Sequence, residues 1–173
     1  MTQAGIPTLT TPRLTLRGPK ASDAAALAAF MVSPRAQGIG GPYPDDSASE
    51  WLDWQRENWA TFGRGLWIVA LRDQDCPIGR IGLLDHADWP EPELAWLLFD
   101  GFEGHGYAQE AACAVRTYAA ETLRLPPLFS FIEPGNRRSL ALARRLGATA
   151  ERDVTVDGVS LTVYRHPAPE GGA

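Results

Sequence analysis

The chain has 173 residues, room for one domain of ordinary size, and carries 16 basic against 21 acidic residues for a net charge of −5. That balance argues against a nonspecific nucleic-acid binder, which needs a basic footprint. Two cysteines cannot build a disulfide framework, and no apolar run approaches the roughly 20 residues of a membrane span.

The start, Met1 to Thr11, is polar and lacks the apolar core of a signal peptide. The expectation is a cytoplasmic protein with no membrane or nucleic-acid partner and with Cys76 and Cys113 reduced. The whole chain, 1–173, reads as one domain with an ordered core over about 8–166. The loose ends are Met1–Pro7 and Pro167–Ala173.

Leu14, Leu16 and Gly18 alternate with polar neighbours, which predicts a first strand stopped by Pro19. Ser22 or Asp23 is placed to cap a short helix through Met31. Ser33 to Pro44 is rich in Gly and Pro and reads as a loop. Asp46 or Ser47 caps a second helix to about Phe62, with Trp51, Trp54, Gln55, Trp59 and Phe62 near helical spacing. Trp67–Leu71 and Ile78–Leu84 read as a hairpin around Arg72–Asp75. After a loop over 85–92, Glu93 to Phe99 is a strand, nearly all apolar after its first residue, and that pattern predicts cover on both faces. A helix is predicted from Tyr107 to about Leu123, with Ala111, Val115 and Tyr118 or Ala119 facing inward. Leu128–Ile132 is a further strand, and Asn136–Leu146 a helix ended by Gly147. A hairpin around Asp157-Gly158 closes the chain. The order β α α β β β α β α β β predicts an α/β fold with a mixed sheet.

The stretch from Glu93 to Ala111 carries the chemistry. A strand ends, a turn holding Gly104 and Gly106 follows, and a helix opens. Helix N-termini present unpaired N–H groups and a positive dipole, a site suited to a phosphate or pyrophosphate. A glycine turn with no ligand is about as good a reading of the turn alone. A P-loop is excluded, because no Gly-Lys-Ser/Thr follows. A dinucleotide fold is weak: the third glycine is missing, and too few elements follow for a doubly wound sheet.

In order and spacing, three segments resemble the GNAT superfamily of acyl-CoA-dependent N-acetyltransferases. They are Thr11-Pro-Arg-Leu-Thr-Leu-Arg17, then Glu93-Leu-Ala-Trp with Gly104-His-Gly-Tyr-Ala-Gln-Glu-Ala111, and Asn136-Arg-Arg-Ser139 with Leu146-Gly-Ala148. They look most like the branch acting on ribosomal-protein N-termini. The resemblance implies a central mixed sheet with splayed middle strands flanked by helices. It implies acetyl-CoA as donor, with its pyrophosphate on the backbone of Gly104, His105, Gly106, Tyr107, Ala108 and Gln109. Its pantetheine arm would run along Leu97, Leu98 and Phe99, and Asn136, Arg137 and Ser139 would complete the site. Asn136 and Ser139 also suit helix capping, and the arginines of that helix read first as a solvated face, with one of them on a CoA phosphate as the alternative. The family's turn usually begins with Gln, Arg or Trp. Here it begins with Glu103, which is expected to face solvent. The Tyr that often acts as acid is replaced by Ala143.

The resemblance leaves Glu93 as the expected base, or else as a strand-end charge paired with an arginine, and Ser139 as the fallback acid. Tyr43 with the 38–46 loop, Trp54, His86 and Glu93 are expected on the acceptor side, with Asp45 and Asp46 attracting a cationic amine. His105 is expected to be exposed. Cys113 is expected in the core and Glu110 in a structural role at the helix dipole. No Cys/His spacing suggests a metal. The expected acceptor is a small-molecule amine or a peptide N-terminus, with monomer and homodimer both open. A CoA-binding protein without turnover is the alternative.

Overall fold

Apolar alternation at Leu14 and Leu16 starts the sheet, and both side chains are fully buried. The computed structural model describes residues 5–44 and 46–169. In chain order its strands and helices are β1 (Leu9–Thr10), β2 (Leu14–Arg17), α1 (Ala24–Met31), α2 (Ser47–Phe62), β3 (Leu66–Leu71), β4 (Cys76–Leu84), β5 (Glu93–Leu98), α3 (Tyr107–Glu121), β6 (Phe129–Ile132), α4 (Arg137–Arg145), β7 (Thr149–Val156) and β8 (Val159–Arg165). All strands join one sheet in the order β1-β2-β3-β4-β5-β6-β8-β7. Only β5 and β6 run parallel, so the sheet is mixed as expected.

Two layers of core follow from the pleat. Ala111, Ala112, Val115 and Ala119 of α3, with Leu142 of α4, pack on Leu14, Leu16, Ile81, Leu83 and Leu94. Leu27, Phe30 and Met31 of α1, with Ala48 and Leu52 of α2, pack on Ile68 and Phe99 from the other side.

The structure departs from the sequence reading in several places. β1 was not expected; it is two residues long and pairs with β2. The stretch from Ser33 to Pro44 is not all loop, because Pro34–Ile39 winds into a 3-10 helix. Asp23, not Ser22, stands at the N-cap position of α1 but makes no side-chain bond to that helix; its Oδ2 accepts from the Lys20 N–H at 2.7 Å. The Asp23 carboxylate is 1% exposed and binds the Arg17 guanidinium through two hydrogen bonds of 2.9 Å. Asp46 stands at the start of α2 without a side-chain cap. The buried face of α2 is Ala48, Leu52, Gln55 and Trp59, while Trp54 and Phe62 are 41% and 51% exposed. Of the expected face, Gln55 and Trp59 are buried and donate to the Leu66 carbonyl, whereas Trp54 and Phe62 turn outward. Cys113 is exposed on α3 rather than in the core.

β5 is not covered throughout. Glu93 and Leu94 are buried, but residues 95–98 are half-buried. The reason is the pairing: β5 meets β6 only at Glu93 opposite Phe129. Beyond that point the strands part. Two side chains bridge the closed end. Glu93 Oε1 accepts from the Phe131 N–H at 3.0 Å, and Ser130 Oγ donates to the Leu94 carbonyl at 2.6 Å. His166 Nε2 lies 2.9 Å from Ser130 Oγ, and it donates there because the serine proton is already spent. Burial, with the Arg116 and Arg165 charges, pushes the His166 pKa down to about 4, so this ring is neutral at physiological pH.

Candidate functional site

The parted strands open onto a cavity of about 870 Å³. Its walls come from β5 (Trp96, Leu97, Leu98), the turn and first residues of α3, α4, and the segment between α1 and α2.

At one end stands the glycine turn. Gly104 and Gly106 have φ of +81° and +79°, where a Cβ would be strained. The first backbone bond of α3 runs from Glu110 N–H to the Gly106 carbonyl at 3.1 Å. The amides of Tyr107, Ala108 and Gln109 precede it and have no acceptor inside the helix. All three residues line the cavity. The helix's own acidic residue does not neutralise this end. Glu110 turns away to Thr11 Oγ1 at 2.6 Å and to Arg13 Nε at 2.6 Å. Arg13 also donates to the His105 carbonyl at 2.9 Å and stacks over Tyr107. The expected structural role of Glu110 therefore takes a specific form: it ties the β1–β2 turn to the glycine turn.

Glu103 does not face solvent as expected. It lines the cavity between Arg35 at 3.1 Å and Arg138 at 3.5 Å. Burial would raise its pKa, but its backbone N–H and the two arginines outweigh that and hold it below the ordinary carboxylate value. Its Oε2 is buried without a partner. Two same-sign groups and a cavity explain the geometry: the arginines cross from opposite walls, and Glu103 is the charge between them.

On α4, Asn136 Oδ1 accepts from the Ser139 N–H at 3.1 Å and caps the helix. Its amide nitrogen is left for another partner, and the residue lines the cavity. Ser139 Oγ accepts from Trp96 Nε1 at 3.3 Å across the cavity. Arg138 and Arg145 line the wall. Leu97, Leu98, Gly104, Gly106, Tyr107, Ala108, Gln109, Asn136 and Ser139 are thus brought together. Phe99, His105 and Arg137 are not. Phe99 is 5% exposed, and its N–H already bonds the Ile78 carbonyl at 2.8 Å. His105 and Arg137 are exposed away from the cavity wall.

Tyr43, Trp54, His86 and Glu93, expected on the acceptor side, stand apart from this cavity. Glu93 is 8% exposed and pairs with a histidine, not an arginine: His86 Nε2 lies 2.6 Å from Glu93 Oε2. The hydrogen bond to Glu93 raises the His86 pKa above its ordinary 6.5, desolvation opposes this, and the charges of Glu93, Asp85 and Asp157 add to it. His86 remains about a third exposed, so the pair has a path to solvent. Tyr43 donates to the Ile39 carbonyl at 2.5 Å, and both Tyr43 and Trp54 make tilted ring contacts with Trp51, with centroids 5.2 and 6.1 Å away. Asp46 is exposed, and Asp45 lies outside the described residues.

Arg13, Arg35 and Trp96 were not foreseen as site residues, and Gly38 and Ile39, expected on the acceptor side with the 38–46 loop, line this cavity instead. Arg35 sits in the segment read as plain loop, where no spacing marks it. Trp96 was visible as part of the Glu93-Leu-Ala-Trp segment, with no role attached to its side chain. Among the described residues no His/Cys/Asp/Glu group suits a metal, and no helix is long and apolar enough to cross a membrane.

Residues 13–149 match the acetyltransferase (GNAT) domain family model. A crystal structure of an acetyltransferase from Agrobacterium tumefaciens str. C58 superposes with a TM-score of 0.85 at 44% identity, covering 94% of this chain and 95% of that one. An uncharacterized N-acetyltransferase of Bacillus subtilis (strain 168), YnaD, is 30% identical over 48% of this chain and 49% of its own length. The fold is also shared, at 18% identity and a TM-score of 0.75, with the ribosomal L7/L12 α-N-protein acetyltransferase RimL in complex with coenzyme A, covering 93% of this chain and 96% of RimL. The glycine turn, the parted strands and these matches converge: the chain belongs to the GNAT acetyltransferase family, acyltransferases whose donor is acetyl-CoA.

Proposed function

We propose that the protein transfers the acetyl group of acetyl-CoA directly to a primary amine, with both substrates bound at once. The observation that carries this reading is the gap between β5 and β6, open at one end onto the cavity and closed at the other by Glu93. Acetyl-CoA, when bound, supplies an acyl group activated as a thioester.

The chain's own groups then have these tasks. The free amides of Tyr107, Ala108 and Gln109, with the bare backbone of Gly104 and Gly106, hold the pyrophosphate. The backbone of Leu97 and Leu98 and the Asn136 amide hold the arm. Phe99, His105 and Arg137 take no part. The acceptor enters from the face carrying Tyr43, Trp54, His86 and Glu93, where the carboxylates favour an ammonium ion.

The amine's proton passes to the His86–Glu93 pair, His86 taking it and Glu93 stabilising the resulting charge. The N–C bond forms as the C–S bond breaks, and the electron pair leaves on sulfur. Ser139 Oγ already accepts from Trp96; it gives its own proton to that sulfur and takes the amine's second proton in return, leaving a free thiol, the amide and a neutral serine.

Initial rates measured while both substrates vary test direct transfer. Intersecting double-reciprocal lines are expected; parallel lines mean a covalent acyl-enzyme and exclude it. Isothermal titration with acetyl-CoA is expected to show one site, and no heat at millimolar ligand would sink the donor assignment.

A further inference from the structure

Arg80 in the middle of β4 is a charge the reaction above does not use. Its side chain is 1% exposed, and none of its three guanidinium nitrogens has a hydrogen-bond partner among the described residues. Its one close neighbour of note is the Trp51 ring, 5.2 Å from the guanidinium carbon. Burial lowers its pKa to about 10, so it stays charged at neutral pH. A buried arginine without a carboxylate or carbonyl partner is strongly unfavourable, and such groups are kept where a ligand completes them.

Register places it in line with the proton-accepting pair. Arg80 stands opposite Leu97, Gly82 opposite Ala95, and Leu84 opposite Glu93. Partners across an antiparallel ladder share a face, so Arg80 and Glu93 lie on the same side of the sheet. It is the side of Leu97, Phe30 and Trp51. On β4 and β5 the row between them carries only Gly82 and Ala95, among the smallest side chains of the ladder. The rows are about 13 Å apart by strand rise, a span for a small molecule held between two side chains.

We propose that Arg80 receives a carboxylate of the acceptor, and that the acceptors are small amines that also carry a carboxylate. This rests on the reading of His86–Glu93 as the end that takes the amine's proton. The guanidinium presents a planar fork that fits a carboxylate through two parallel bonds. Trp51 lies over the guanidinium and Tyr43 against Trp51, so this aromatic pair is the cover that the ligand displaces.

The test compares amino acids with their primary amides, in the wild type and in Arg80→Met. The wild type is expected to acetylate the acids at least about tenfold more efficiently in kcat/KM. The ratio falls to near one in Arg80→Met, with the melting temperature at or above that of the wild type. Equal rates for acids and amides in the wild type overturn the proposal, as does a preference that survives in the variant. A second readout needs no turnover. N-acetylglycine is expected to raise the wild-type melting temperature, N-acetylglycinamide not, and Arg80→Met to respond to neither. A carboxylate-specific shift without acetylation keeps the anion site and rejects the transfer reading. Acetylation without any carboxylate effect does the reverse.

Discussion

Glu93 carries two jobs at once. Its Oε1 holds the Phe131 amide at the closed end of the strand gap, and its Oε2 holds His86. The pH dependence follows from that pairing. His86 has a folded-state pKa above 6.5, so the pair's stabilising contribution is complete below 6.5 and is lost as pH rises through the raised value. Catalysis needs the deprotonated ring, so the acid limb of kcat/KM lies above pH 6.5. Glu93→Gln moves that limb to lower pH and lowers the plateau. His86→Ala costs about 100-fold in kcat/KM. A limb unmoved in Glu93→Gln would remove the pair from the mechanism. Glu103 is the other decisive residue. It places a carboxylate between Arg35 and Arg138 in a cavity read as the seat of a polyanion. Glu103→Gln frees both arginines and removes a repulsive charge. Acetyl-CoA affinity is expected to rise about tenfold at low ionic strength and less at high salt, measured by titration calorimetry at two salt concentrations. Unchanged or weaker binding contradicts this placement.

Among the elements, those fixed by local rules were legible in the sequence. β3, β4, α3 and the closing hairpin fall within a few residues of expectation, because apolar period and turn dipeptides mark them. The glycine turn was legible for the same reason. What was not legible depends on partners distant in sequence. Asp23 reads as a cap, but Arg17 claims it. Trp54 and Phe62 read as core, but Gln55 and Trp59 find the Leu66 carbonyl and set the rotation of α2. Arg35 reaches Glu103 from a segment that carries no pattern. The Arg17–Asp23 pair ties β2 to the start of α1 and is nearly dry, with side chains 8% and 1% exposed. Asp23→Asn leaves the guanidinium with only the exposed Asp75 as an ionic partner. A loss of about 3 kcal/mol is expected in urea unfolding. A loss below about 1 kcal/mol would mean that Asp75 alone compensates.

Across the whole molecule, one sheet divides the work. In the proposed reading the donor end lies between α3, α4 and the segment joining α1 to α2, with free helix amides and with arginines from both walls. The α1 and α2 side holds Glu93, His86 and Arg80 among aromatic residues. The gap between β5 and β6 is where the two sides meet, and Glu93 and Ser130 set where it begins. The net charge of −5 fits this division, since the acidic groups around His86 suit an ammonium ion while the donor end draws on its own arginines. The central claim is acetyl transfer across that gap. Its most direct measurement is thiol release from acetyl-CoA across a panel of amines, with the products weighed by mass spectrometry. Amine-dependent release matched one for one by an N-acetylated product is the expected result. Donor binding with no amine-dependent release, or release that yields only acetate, would contradict the account.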